Sequence, residues 1–381
     1  MNFSPTEQQA ALYDEVRRFA KDQLTYNLEQ RDAECFFVEE NWQACAKQGI
    51  LGLNIPKEYG GSGYDMTTTI LMLEALGYGC PDNGFTLGIN GQIWAVQEPI
   101  LKFGSEKQKQ TFLPKLLNGT WKGAHGMTEQ ESGSNAFELS TLATKTEGGY
   151  ILNGKKVYIG LGPVADVILT FASTNPKRGR WGISTLIVDA KSDGITLSPA
   201  QSKMGLRTSP LGEIIFQDVF VSEDRLLGTE GAGASIFNAS MDYERSFIFA
   251  SHVGSMARQL DDTIAFATSR KVGKHPISKH QAVSHRIADM KVRLETARIF
   301  LQKSAWLTDQ GKRIPMDAAM AKLVISEMFV ENSLAAIRIH GGKGYLTEFG
   351  VERDLRDAMG GVIYSGTSDI QRNVIAAMLG L

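Results

Sequence analysis

Cysteine is scarce in this chain. Its 381 residues include three, Cys35, Cys45 and Cys80. They lack the paired spacing of a structural zinc site, and an odd count argues against a disulfide framework. Long apolar runs are also missing, since no stretch reaches the roughly 18 residues a membrane span needs. Residues 1–9 carry no cationic stretch ahead of an apolar one, so no secretory signal is expected. Neither sign of charge dominates. A net charge of -2 excludes bulk attraction to nucleic acid or to an anionic membrane. There is no internal repeat and no low-complexity tract. The expectation is a reduced, cytoplasmic chain with no metal, nucleic-acid or membrane partner.

What the chain has is apolar content, 43% of its residues. That suffices for a large core spread over two or three subdomains. Residues 1–120 read as helical. Ser4-Pro5-Thr6-Glu7 offers an N-cap serine, a proline at N1 and a glutamate at N3. Leu12, Val16 and Phe19 follow at helical spacing. Asp65 is placed to cap the next long helix, and Ser105 with Gln108 repeats the capping box. Residues 121–228 change to β-branched runs, among them 167–171, 184–188, 214–216 and 219–221. Asn153-Gly154 signals a hairpin with a type I′ turn. With no helix of useful length between the runs, an antiparallel β domain is expected. Residues 229–381 return to helix. Val283, Ile287, Met290, Leu294, Ala297 and Leu301 step by four and three residues, a seam for packing helix on helix. Gly311 and Pro315 punctuate its end.

Two runs carry the chemistry. One is Met241-Asp242-Tyr243-Glu244-Arg245, the other Tyr364-Ser365-Gly366-Thr367-Ser368-Asp369-Ile370-Gln371-Arg372. The second resembles the C-terminal motif of acyl-CoA dehydrogenases, flavoenzymes that desaturate acyl thioesters. Many of these hold a catalytic glutamate directly after the tyrosine. Here that position is Ser365, which cannot serve as a carboxylate base. The first run supplies Glu244 where the isovaleryl-type branch keeps its base. Desaturation removes an α proton while hydride leaves the β carbon, so a carboxylate in a dry site is required. Read alone, Glu244 is also what a solvated helix offers.

The resemblance spans the full chain and implies an α+β, acyl-CoA dehydrogenase-like fold. Its parts would be an N-terminal helical domain, a middle antiparallel β domain and a C-terminal helical bundle. It also implies FAD. Met127-Thr128-Glu129-Gln130-Glu131-Ser132-Gly133-Ser134 resembles the flavin loop, with Met127 and Thr128 at the flavin and Ser134 where phosphate meets pantetheine. The same run could be an ordinary polar turn. Gln130-Glu131 departs from the usual proline and small residues and adds negative charge there. Tyr158-Ile159-Gly160 is similar to the strand beside the flavin, where an aromatic can stack on the ring. Gly160 replaces the usual threonine, which leaves room for dioxygen.

Arg270 matches a residue reaching a neighbouring subunit's pyrophosphate, although the usual Phe-Gly after it is lost. It also reads as part of a solvated basic turn. Gln281 matches a flavin-side position and equally suits a helix cap. Gly341 and Gly342 match a bend at the neighbour's adenine, and they also read as a helix C-cap. Thr367 and Asp369 open the last helix, whose N–H groups can meet a phosphate or flavin edge. Asp242 and Arg245 match positions near the acyl-pantetheine, or form a plain surface ion pair. Ser365 would offer only its backbone N–H to the thioester carbonyl.

Within the family, residues 241–245, 281–291 and 364–369 most resemble the prolyl-carrier protein dehydrogenases and oxidases of pyrrole and anatoxin-type pathways. This implies an L-prolyl group on the phosphopantetheine arm of an acyl or peptidyl carrier protein, oxidised at Cα–Cβ. A homo-oligomer, expected as a tetramer, follows from sites completed by a neighbour. Other readings stay open. They are a dehydrogenase for a short branched acyl-CoA, a flavin monooxygenase on the same fold, and a non-catalytic binding member.

Overall fold

The computed structural model describes residues 3–381. Its N-terminal part is a stack of helices led by Glu7–Gln23 and Met66–Gly79. The first capping box sits two residues later than expected. Thr6 caps the helix, accepting from Gln9 N at 3.2 Å, while Gln9 Oε1 accepts from Thr6 N at 2.9 Å. Both boxes are available in the sequence. A long-range contact favours this one, because Gln9 Nε2 also reaches Thr68 Oγ1 on the Met66–Gly79 helix. Asp65 caps that second helix through Thr68 N, as expected. Ser105 and Gln108 form the other box. Gln108 also donates to the carbonyls of Asp224 and Leu226, tying helix to sheet.

The middle part is one sheet with strands β1 (Gly123–Gly126), β2 (Leu142–Thr146), β3 (Gly149–Gly160), β4 (Val167–Ser173), β5 (Ile183–Asp189), β6 (Ile195–Leu197), β7 (Leu211–Ser222) and β8 (Leu226–Leu227). The order is β6-β7-β3-β2-β4-β5-β8, with β1 alongside β4. Two expectations need correction. The sheet is mixed, because β1 runs parallel to β4 and β2 meets β4 in parallel at Leu142–Ser173. Asn153-Gly154 is also not a hairpin turn. The β2–β3 turn lies at Glu147-Gly148, where Gly148 takes φ 72°. Asn153-Gly154 falls inside β3 at a register shift against β7. There the Asn153 side chain pairs with Asp218, at 2.9 and 2.8 Å. An Asn-Gly pair suits a bulge as well as a turn, since both ask for unusual backbone angles.

The last part is helical: Gly233–Phe247, Ala250–Ser269, Gln281–Asp309, Pro315–His340, Val351–Gly361 and Ser368–Met378. In the expected seam Met290, Leu294, Ala297 and Leu301 are buried, while Val283 and Ile287 are partly covered. This seam packs into the chain's own helical core with Leu73, Val253 and Ile325, so it is not a surface for a partner. Two further clusters fill the sheet-helix boundary and the sheet itself. No helix among the described residues is long and apolar enough to cross a membrane.

Candidate active site

A cavity of about 680 Å³ opens where the three parts meet, within the size range of small-molecule sites. Thr128, Ser134, Tyr158, Gly160, Glu244, Ser365 and Thr367 all line it. These residues span more than two hundred positions, and the fold brings them together.

Glu244 lies in the last turn of the Gly233–Phe247 helix and is buried. Its Oε1 accepts a hydrogen bond from Ser365 Oγ at 2.7 Å. Its Oε2 is buried without a partner. Burial pushes the carboxyl above its ordinary range, against the lowering effect of the Ser365 bond and of Arg245. Ser365 therefore offers more than the backbone N–H expected of it. Beside it, Tyr364 stacks on Phe249 at 5.3 Å and meets His252 Nε2 at 3.2 Å. Burial lowers the His252 imidazole to about 4, so it is neutral over the ordinary pH range. Thr367 caps the last helix by accepting from Ile370 N.

The loop from Met127 is pinned from below. Lys156 Nζ on β3 donates to the Met127 carbonyl at 3.0 Å and to Glu129 Oε1 at 2.8 Å. Glu129 also accepts from the backbone N–H groups of Ser140 and Thr141. Burial opposes the Glu129 charge, but Lys156 and these donors outweigh it and hold the carboxyl down to about 2. Burial brings the Lys156 amine down to about 8, against the pull of Glu129. Val157 N donates to the Thr128 carbonyl at 2.9 Å. Thr128 itself lines the cavity. Tyr158 sits at a break in the β3 register with φ 57°, which turns its ring outward, 58% exposed. A Cβ added at Gly160 would meet nothing within 4 Å. This open wall suits a flat ring system.

Other expected residues lie elsewhere. Met127 is buried beneath the loop. Asp242 and Arg245 do not line the cavity. Nor do they form the alternative surface ion pair, because Asp242 is buried and meets Arg313 at 3.5 Å, while Arg245 Nε is buried without a partner. Arg270, Gln281, Gly341, Gly342 and Asp369 are exposed and away from the cavity. Stacking of Phe266 on His340 at 4.3 Å holds the Arg270 and Gly341-Gly342 turns at one end of the helical part. Asp369 pairs with Arg372 at 3.1 Å.

Three titratable lining residues escaped the sequence reading. His125 on β1 lies against Phe171 and Phe237 and is lowered to about 4 by burial. Lys203 is held by the carbonyls of Leu206 and Ser209. Arg356 is tied to Asp32 and Glu352 at 2.6 and 2.8 Å.

Comparison with known proteins settles the family. Residues 6–120, 124–219 and 231–380 match the N-terminal, middle and C-terminal domains of acyl-CoA dehydrogenase. This chain belongs to the acyl-CoA dehydrogenase family. It is 42% identical over 347 residues, 91% of each chain, to the L-prolyl-[peptidyl-carrier protein] dehydrogenase of Pseudomonas fluorescens. The crystal structure of the prolyl acyl carrier protein oxidase AnaB superposes with a TM-score of 0.98 at 42% identity, covering 99% of this chain and 100% of AnaB. PigA with FAD and proline gives 0.97 at 36% identity, covering both chains fully. The fold is that of the family, and the cofactor is FAD. The chain is a flavin-dependent acyl-thioester dehydrogenase.

Proposed function

We propose that the substrate is L-proline held as a thioester on the phosphopantetheine arm of a carrier protein. The observation that carries the mechanism is Glu244, a buried carboxylate with one oxygen held and the other free, in the wall of the large cavity. Bound FAD supplies the hydride acceptor. Glu244 takes the α proton, the Cα–H electron pair becomes the new Cα–Cβ bond, and hydride departs from the β carbon. A dry site serves this step, because burial makes the carboxylate a stronger base than in water. Thr128 and Ser134 offer hydroxyls toward the flavin and pantetheine, and Tyr158 offers a ring face. Leu87, Ala95, Ile248, Met359 and Ile363 give the cavity an apolar wall fit for a short ring. The dehydroprolyl thioester then tautomerises to a pyrroline, a step suited to natural-product biosynthesis.

Arg270, Gln281, Gly341 and Gly342 are exposed. In this reading they complete the FAD site of a neighbouring subunit, which makes the working form a homo-oligomer, a tetramer. Prolyl-carrier protein and isovaleryl-CoA, each incubated with the holoenzyme, test the substrate. Loss of two hydrogens by mass from the prolyl thioester is expected, and loss from isovaleryl-CoA alone would overturn the reading.

A further inference from the structure

Ser365 occupies a backbone position that suits glycine. Its φ is 55°, a left-handed conformation that is strained for a residue with a side chain. The turn around it is nonetheless fixed. Gln371 Nε2 donates to the carbonyls of Ser365 and Gly366, at 3.2 and 2.9 Å. Tyr364 is locked by Phe249 on one side and His252 on the other. The hydroxyl is therefore held by a rigid turn, and its partner is Glu244 Oε1. The second carboxylate oxygen has no donor and is buried.

We propose that Ser365 is a positioning residue. Its hydroxyl holds Oε1 of Glu244 and leaves Oε2 as the oxygen that takes the substrate's α proton. The inference rests on Glu244 being the base. In the step, the Cα–H bond breaks and an Oε2–H bond forms, while the electron pair goes into the Cα–Cβ bond as hydride leaves. Donation from Ser365 favours the ionised carboxylate, which burial disfavours. The bond therefore keeps a buried base ready without paralysing it.

Charged groups stand on the Glu244 helix, on the helices packed against it and across the cavity. Arg245 stands on its own helix and lowers its pKa. Tyr364 on the facing turn is pushed well up by burial and stays a neutral phenol. Glu98 and Lys102 come from the Glu98–Phe103 helix, and Lys322, lowered to about 8, from Pro315–His340. Across the cavity lie His125, Glu129, Lys203 and Arg356. All of these are unchanged by a substitution at 365, so a shift in the base can be assigned to the hydroxyl.

The test uses Ser365→Ala and Ser365→Gly holoenzymes. Anaerobic flavin bleaching is followed against pH with the prolyl-carrier protein thioester, and with isovaleryl-CoA if that is the one the wild type oxidises. Removing the hydroxyl should move the acidic limb of the rate up by about one pH unit, the size expected for losing a hydrogen bond to a charged group. Below the limb the rate should fall roughly 10-fold, with KM little changed. FAD content should hold, and the glycine variant should melt no lower than wild type because its backbone is relieved. Limbs that overlay wild type in both variants would overturn the inference. So would a lowered melting temperature with no limb shift, which is a structural role only. Glu244→Gln run in parallel separates the two levels. If it bleaches like wild type, the base reading fails and takes this inference with it. If it is inactive while the Ser365 limbs stay put, this inference alone fails.

Discussion

The Lys156 ammonium lies 2.8 Å from the Glu129 carboxylate, and neither side chain reaches solvent. Removing one member strands the other charge in the interior, which typically costs about 3–5 kcal/mol. Lys156→Met should therefore lower the melting temperature sharply and release the loop that carries Thr128, with loss of FAD. The double variant Glu129→Gln, Lys156→Met should recover a good part of the stability, since no unpaired charge remains. Thermal melts and flavin absorbance of both proteins check this. A single variant as stable as wild type would show that the pair does not hold the loop.

Glu244→Gln keeps the shape and removes the proton acceptor. Turnover should fall by at least about 10²-fold, the low end for loss of a general base, with FAD content unchanged. The wild-type rate should rise with pH through a limb above the ordinary carboxylate range, because burial raises Glu244 and the protonated acid cannot accept the α proton. Stability runs the other way. A group bound more tightly to its proton in the folded state costs stability as pH climbs through its raised pKa. The glutamine variant should thus melt no lower than wild type at neutral pH.

Oligomer size is the third expectation. Sedimentation at micromolar concentration should show an assembly, with FAD bound. In the proposed reading Arg270 meets the pyrophosphate of a neighbour's FAD, so Arg270→Ala should weaken FAD retention. A monomer fully loaded with FAD would contradict the neighbour-completed site.

The carrier protein gives the fourth. Carrier proteins are typically acidic, while this chain is near neutral, so attraction must come from a local basic patch. With Arg270 assigned to the neighbour's FAD, the exposed Lys279 and Arg286 are the free candidates, whereas Lys291 is paired with Glu295. Rising salt should raise KM for the prolyl-carrier protein and leave kcat nearly constant. Prolyl-CoA should react more slowly at equal concentration, for want of a docking surface. Equal efficiency would move the short branched acyl-CoA reading to first place.

The sequence conveyed the site through runs of residues, and it failed where single residues act. Glu244 was legible because the neighbouring motif held Ser365 instead of a carboxylate. The three-part order was legible from the change of period near residues 121 and 229. The Asn153-Gly154 turn was misread because local preference cannot tell a bulge from a hairpin, and pairing with Asp218 across β7 decides it. Thr6 displaced Ser4 because its box partner Gln9 reaches Thr68, 59 positions further along the chain. His125, Lys203 and Arg356 carry no motif, and only the fold brings them to one cavity. The hydroxyl bond of Ser365 was hidden for the same reason, since its partner is a helix far upstream.

The Ser365–Glu244 bond closes across 121 residues of chain. During synthesis, Glu244 and the whole sheet emerge while the turn that holds its carboxylate is still unmade. A chain stopped short of residue 365 would retain Glu244 but lose the hydroxyl that holds it. Proteolytic trimming of the last helix would act in the same way, loosening Gln371 and with it the turn. Competence in this protein is thus decided well after Glu244 itself has emerged from the ribosome.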